Sequence, residues 1–307
     1  MAKNLRDRLQ QTNDILLHYF PLHSALMDWG KDLESHLSEW IITHPDRYQD
    51  ALVKSFEAGC HIACTQTQAA SRWRAEVFGM QHKVREHNYR SARLAKEVTP
   101  DGCYVGGLVS STNPDFLEPV GRISSQEAYE GFKEQISALL EGGVDLIMVV
   151  GNQLDASLIA IQVTKDLSDV PIMAQNVFFH GKKGFRTMMG YDPVTGSKKL
   201  EEAGADVVGG SCGLMKRPED KDDPKGYYEW ATELVKEMRK GCNAILSIQP
   251  NAGLAQLMDE KTIYPATPHK IAKEAPKWIE AGARVIGGCC GTSLEHYRKL
   301  SEVVKRR

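Results

Sequence analysis

One local pattern recurs four times along this chain and constrains its fold more than any other feature. An amphipathic helix end is followed by a small residue with glycine, then by a short run rich in β-branched residues. It reads Phe56-Glu57-Ala58-Gly59 before 60–65, Leu140-Glu141-Gly142-Gly143 before 144–150, Glu202-Ala203-Gly204-Ala205 before 206–210, and Glu280-Ala281-Gly282-Ala283 before 284–288. A glycine just past a helix adopts the left-handed conformation that stops it, and a continuous apolar run suits a strand buried on both faces. Each occurrence is therefore the αβ half of a βα repeat.

Filling the intervals predicts strands near 14–20, 60–65, 103–109, 144–150, 171–177, 205–210, 243–249 and 283–288. Helical periodicity falls near 46–58, 82–97, 125–141, 154–166, 194–203, 226–240, 268–281 and 292–305. Eight strands alternating with eight helices is the count of an α/β (β/α)₈ barrel, a TIM barrel, and 307 residues fit one such domain over 1–307. An open doubly wound sheet is the alternative, but its glycine-rich phosphate fingerprint is missing after the first strand. Three connections are long: Trp29 to Thr43, Phe178 to Pro193, and Gly213 to Pro224, the last carrying the charge run 216–223. All follow strands, which places them on the rim where barrel enzymes build their sites.

The charges nearly cancel, at 38 basic against 40 acidic residues, and no basic block stands ready to neutralise phosphates, so nucleic acid is not an expected partner. Met1 to Gln11 is polar and lacks the apolar stretch of a signal peptide, and no run approaches the roughly 20 apolar residues of a membrane helix. The expectation is a cytoplasmic protein with no membrane contact. Seven cysteines without a secretory signal point to thiol or metal chemistry rather than a disulfide framework.

Three of those cysteines stand just past predicted strands. Cys212 follows Val207-Val208-Gly209-Gly210-Ser211, while Cys289 and Cys290 follow Val285-Ile286-Gly287-Gly288. In a barrel every strand ends on one rim, so the sixth and eighth strand ends are neighbours and three thiols converge there. Zinc takes sulfur ligands tetrahedrally, and a catalytic site keeps one position open. Adjacent side chains on a regular strand point to opposite faces, so Gly287, Gly288 and Gly291 are expected to let the backbone turn and aim both sulfurs at one ion. Cys60 and Cys64 read as core packing, and Cys103 and Cys242 fall at strand beginnings away from the rim.

Gly287-Gly288-Cys289-Cys290-Gly291-Thr292 together with Ser211-Cys212-Gly213 resembles the zinc-dependent homocysteine S-methyltransferase family, which includes betaine-homocysteine methyltransferases and the homocysteine module of cobalamin-dependent methionine synthases. Thr65-Gln66-Thr67-Gln68-Ala69 is similar to the family's Thr-Asn-Thr segment, and Pro250-Asn251-Ala252-Gly253 with Tyr264-Pro265 to the methionine synthase type. The resemblance implies Zn(2+) on Cys212, Cys289 and Cys290, and transfer of a methyl group from a small sulfonium or quaternary ammonium donor to a zinc-bound thiol such as homocysteine, giving methionine.

Two family features differ here. The family's Asp-Gly at the end of strand one is replaced by Phe20-Pro21-Leu22-His23, and the Glu after strand four by Gly151-Asn152-Gln153. Substrate contacts are accordingly expected from His23, Thr67, Asn152, Gln153 and Asn251, with Asp28 a candidate replacement for the strand-one acid. Neutral groups at these ends also suit a second reading, in which the chain serves a demethylation system and a separate corrinoid protein accepts the methyl group from a different substrate. A third is a zinc-binding module without catalysis.

Overall fold

The four glycine stops take the conformation the repeat requires: Gly59, Gly143, Gly204 and Gly282 have φ of +98°, +89°, +110° and +107°. A computed structural model of the chain, described here over residues 5–19, 35–110, 117–213, 226–258 and 261–306, places a strand after each. The barrel strands are β1 (Leu16–Tyr19), β2 (Ile62–Cys64), β3 (Tyr104–Ser110), β4 (Leu146–Gly151), β5 (Ile172–Asn176), β6 (Val207–Ser211), β7 (Ile245–Gln249) and β8 (Ala283–Gly288). All pair in parallel. The sheet closes because β1 bonds to both neighbours, Leu16 opposite Val285 of β8 and His18 opposite Ile62 of β2, which rules out the open sheet.

Among the described residues eleven α-helices surround or cap these strands: α1 (Leu5–Gln11), α2 (Leu37–Thr43), α3 (Pro45–Glu57), α4 (Arg72–Glu76), α5 (Val84–Glu97), α6 (Ser125–Glu141), α7 (Leu154–Leu167), α8 (Pro193–Ala203), α9 (Tyr227–Arg239), α10 (Pro268–Glu280) and α11 (Leu294–Lys305). Strand residues alternate between two cores. Leu17, Ala63, Val105, Ile147, Val149, Val208 and Ile286 pack outward under the helices, while Leu16, Ile62, Cys64, Leu108, Met148, Met173 and Val285 fill the barrel interior.

The polar start contains a helix that its composition conceals. Leu5 and Leu9 of α1, one turn apart, join the interior cluster and plug the barrel at the strand beginnings. Arg6 anchors the plug to Asp206 at 3.0 Å, and Arg284 holds the carbonyls of Leu9 and Thr12 at 2.7 and 2.6 Å. The opposite rim carries the long connections. The one after β5 forms an antiparallel hairpin of Phe179–Gly181 with Gly184–Arg186, and a second hairpin after β7 pairs Gln256–Met258 with Lys261–Ile263. The described part of the first long connection contains α2, and the charge run 216–223 lies outside the described residues. No helix among the described residues is long and apolar enough to cross a membrane.

Candidate metal centre

The ends of β6 and β8 meet at three sulfurs. Cys212 and Cys290 are 4.0 Å apart, Cys289 and Cys290 3.9 Å, and all three sulfur atoms lie within 4.8 Å of one another. A zinc ion with Zn–S bonds of about 2.3 Å in a tetrahedron sets its sulfurs about 3.8 Å apart, so the donor set and its spacing fit that metal. Cys289 is buried, while Cys212 and Cys290 are partly open to the rim.

Backbone geometry explains how adjacent cysteines aim at one point, and it corrects one expectation. Gly287 and Gly288 remain in β8 and do not turn; among the three glycines only Gly291, at φ +78°, is left-handed. The other two are required by close approach: a Cβ at Gly287 would lie 2.3 Å from the His18 carbonyl oxygen, and one at Gly288 2.3 Å from Thr292 Cγ2. Cys212 itself sits at φ +52°, a left-handed conformation uncommon for a residue with a side chain, followed by Gly213 at +53°.

The surrounding bonds fix each ligand loop. Cys212 N–H donates to the Gln249 carbonyl at 3.0 Å and Cys289 N–H to that of Pro250 at 2.9 Å. Asn251 Oδ1 accepts from Cys290 N–H at 3.1 Å, so this expected substrate contact spends its oxygen on the thiol loop. Tyr297 clamps the base of the site, accepting from Gly288 N–H with the His18 and Gly288 carbonyls both within 3.0 Å of its hydroxyl.

Electrostatics divide the thiols. Cys212 is held well below the usual thiol range because the Cys289 and Cys290 S–H groups donate to it, with Gly213 N–H and the Asn251 side chain adding to the effect against burial. Donating to Cys212 pushes Cys289 well up and Cys290 up to about 12. In the metal-free protein Cys212 is thus the thiolate of the three. The other cysteines behave as core residues. Burial raises Cys64 to about 12, Cys60 is buried beside β2, and Cys103 and Cys242 stand just before β3 and β7.

Of the remaining expected contacts, Thr67 is fully buried after β2, its hydroxyl donating to the Leu108 carbonyl at 2.7 Å and paired with Thr65 at 2.7 Å. Between them Gln66 has φ +55°, a left-handed conformation uncommon for glutamine and more often taken by asparagine. Asn152 and Gln153 follow β4, and Gln153 lines a cavity of about 260 Å³ with Glu118, Pro119 and Asp155. His23 and Asp28 lie outside the described residues.

Two features went unread in the sequence. The barrel interior holds four fully buried polar side chains, His18, Gln175, Ser247 and Gln249: Gln175 Nε2 donates to Ser247 Oγ at 2.9 Å, and the Gln249 amide bonds to His18 Nδ1. Burial drives His18 down to about 3, so the imidazole is neutral and its Nδ1 accepts. The period-two alternation with Leu16 could have placed His18 inside. The second feature is Tyr264, whose ring lies against Gly291 and whose hydroxyl is raised by burial and by negative charge on the thiol triad.

Residues 8–304 match the homocysteine S-methyltransferase family. The chain belongs to that family. Over 277 residues it is 24% identical to the methionine synthase of Mycobacterium leprae, covering 86% of this chain but 22% of that protein. The chain therefore spans less than a quarter of that relative's length. The fold superimposes on the oxidised and metallated forms of the homocysteine methyltransferase MmuM from Escherichia coli with TM-scores of 0.75 and 0.74, at 17% and 18% identity, covering 98% and 97% of this chain and 99% of that one. At such identities the likeness speaks to the fold alone.

Proposed function

We propose that this chain carries a methyl group from a small sulfonium or quaternary ammonium donor to a thiol, homocysteine being the acceptor that the family points to and methionine the product. The observation that carries the reading is the convergence of Cys212, Cys289 and Cys290 within 4.8 Å on the rim. Zinc, which Cys212, Cys289 and Cys290 would hold, would supply a Lewis acid able to lower the pKa of an acceptor thiol toward neutral pH. The chain's own groups do the rest. Cys212 enters metal binding already ionised, Asn251 and Gln249 hold the loops of Cys290 and Cys212, and the rim loops orient the donor. A bond forms between acceptor sulfur and methyl carbon as the donor's carbon–heteroatom bond breaks, and its electron pair stays on the donor, which leaves as a neutral thioether or tertiary amine.

The test combines metal and turnover. Cobalt(II) titration of reduced protein is expected to give one equivalent with thiolate charge-transfer absorption, and S-methylmethionine or glycine betaine with homocysteine to give methionine. Cys290→Ala is expected to lose tight binding and turnover with unchanged far-UV circular dichroism. Full metal retention in that variant would overturn the ligand assignment. A second reading draws on the neutral Asn152-Gln153 segment that follows β4: the substrate is a different methylated compound and a separate corrinoid protein is the acceptor. Transfer to cob(I)alamin rather than to homocysteine selects it.

A further inference from the structure

Tyr264 is held against the thiol triad by a short ladder of bonds. Cys290 O accepts from Ala252 N–H at 2.8 Å, Ala252 O accepts from Ala266 N–H at 2.9 Å, and the Ala266 carbonyl is bonded to His296 Nε2 at 3.0 Å. The Pro265 ring closes on Gly253, where a Cβ would lie 2.7 Å from Pro265 Cγ and where φ is +99°. Strands returning from the hairpin after β7 therefore deliver residue 264 to one place. There the ring sits over the Cys290–Gly291 backbone so closely that a Cβ at Gly291 would stand 2.1 Å from Tyr264 Cγ. Tyr264 is half-buried, and so are Cys212 and Cys290, and the hydroxyl of Tyr264 is within reach of the negative charge on the triad.

We propose that Tyr264 is a donor-positioning residue, its ring forming one wall of the space over the sulfurs and receiving the positively charged methyl-bearing group of a sulfonium or quaternary ammonium donor. This inference rests on the methyl-transfer reading above and names the group that reads the donor's charge. An aromatic face attracts an onium through its quadrupole, and partial desolvation strengthens the attraction. The charge on the donor heteroatom is present in the bound donor and fades as the methyl group leaves. The ring thus stabilises the bound donor at least as much as the transition state, and its removal raises KM more than it lowers kcat. The hydroxyl is not needed for this role.

The experiment measures tetramethylammonium binding to the cobalt-loaded protein by calorimetry, beside donor kinetics with S-methylmethionine and homocysteine. Tyr264→Leu is expected to weaken tetramethylammonium about tenfold and to raise the donor KM by a similar factor, with kcat within about threefold and cobalt stoichiometry unchanged. Tyr264→Phe is expected to restore affinity to within about twofold of the parent. Equal affinity in parent and Tyr264→Leu, or no binding of tetramethylammonium by cobalt-loaded parent, overturns the proposal while leaving the metal reading intact. A Phe variant as weak as the Leu variant overturns it too, because the hydroxyl would then be the working group. A parent that takes no cobalt fails at the earlier step, and the methyl-transfer reading falls with it.

Discussion

Gly291→Ala is the smallest change that challenges the architecture of the thiol triad. Two separate costs arise. At φ +78° a side chain meets the left-handed penalty, about 1–2 kcal/mol. In addition the new methyl group would lie 2.1, 2.3 and 2.6 Å from Tyr264 Cγ, Cδ1 and Cβ, where carbon atoms rest at roughly 3.5–4.0 Å. The ring or the Cys290–Gly291 backbone must retreat by roughly 1 Å or more, an overpacking that costs about 1–3 kcal/mol. Together they predict a loss of about 2–5 kcal/mol in urea unfolding of the metal-free protein.

The two costs separate experimentally. Gly102 is also left-handed, at φ +80°, with nothing within 4 Å of a Cβ, so Gly102→Ala carries the dihedral cost alone. The displaced backbone of Gly291→Ala adjoins Cys290, and metal sites tolerate ligand shifts of only about 0.2 Å. Cobalt affinity is therefore expected to fall about 10- to 100-fold in Gly291→Ala, the range seen when supporting groups of metal sites are disturbed, and to stay unchanged in Gly102→Ala. Adding Tyr264→Ala to Gly291→Ala is expected to recover much of the overpacking cost in a double-mutant cycle. If Gly291→Ala matches Gly102→Ala in both stability and cobalt affinity, the packing of Tyr264 on the thiol loop is wrong.

Metal loading near pH 7.5 is expected to release about two protons rather than three, because Cys212 is already ionised while Cys289 and Cys290 are not. Calorimetry in buffers of different ionisation enthalpy counts them, and three released protons would contradict the ionised Cys212. Stability should also fall with acid through His18, whose pKa drops from 6.5 to about 3 on burial. Its contribution is complete above the unfolded pKa near 6.5 and is lost as pH falls toward 3, amounting to about 2 kcal/mol by pH 5. Urea unfolding at pH 7.5 and 5.0 measures this, and an undiminished difference in His18→Asn would refute the assignment.

Four of the eight strands were legible as short apolar runs behind a glycine stop and the others from the intervals between them, and barrel closure then made neighbours of Cys212 and the Cys289–Cys290 pair. Elements whose cause is long-range contact were not. The plug α1 shows only Leu5 and Leu9 in a charged segment, too few apolar positions to establish a helical period. The rim hairpins have strands of three residues, too short for a period. Gly287 and Gly288 were read as turning glycines, whereas their cause is the approach of His18 and Thr292, which no local pattern reveals. Tyr264 stood in a motif similar to the methionine synthase type, yet its place against Gly291 depends on a hairpin that returns the chain from the end of β7.

The bonds that assemble the triad are distributed over four strands. Left-handed backbone at Cys212 costs about 1–2 kcal/mol, and the Cys212 N–H bond to Gln249 returns about 1 kcal/mol, so the local conformation comes close to breaking even. What holds the sulfurs together beyond that is the cross-linking of β1, β7 and β8: Gln249 bonds the buried His18, and Tyr297 joins His18 to Gly288, one residue before Cys289. His18 thus supports two ligand loops from beneath, one through its side chain and one through its carbonyl. Those links are buried and use no thiol, so the frame that positions the sulfurs is bonded independently of them.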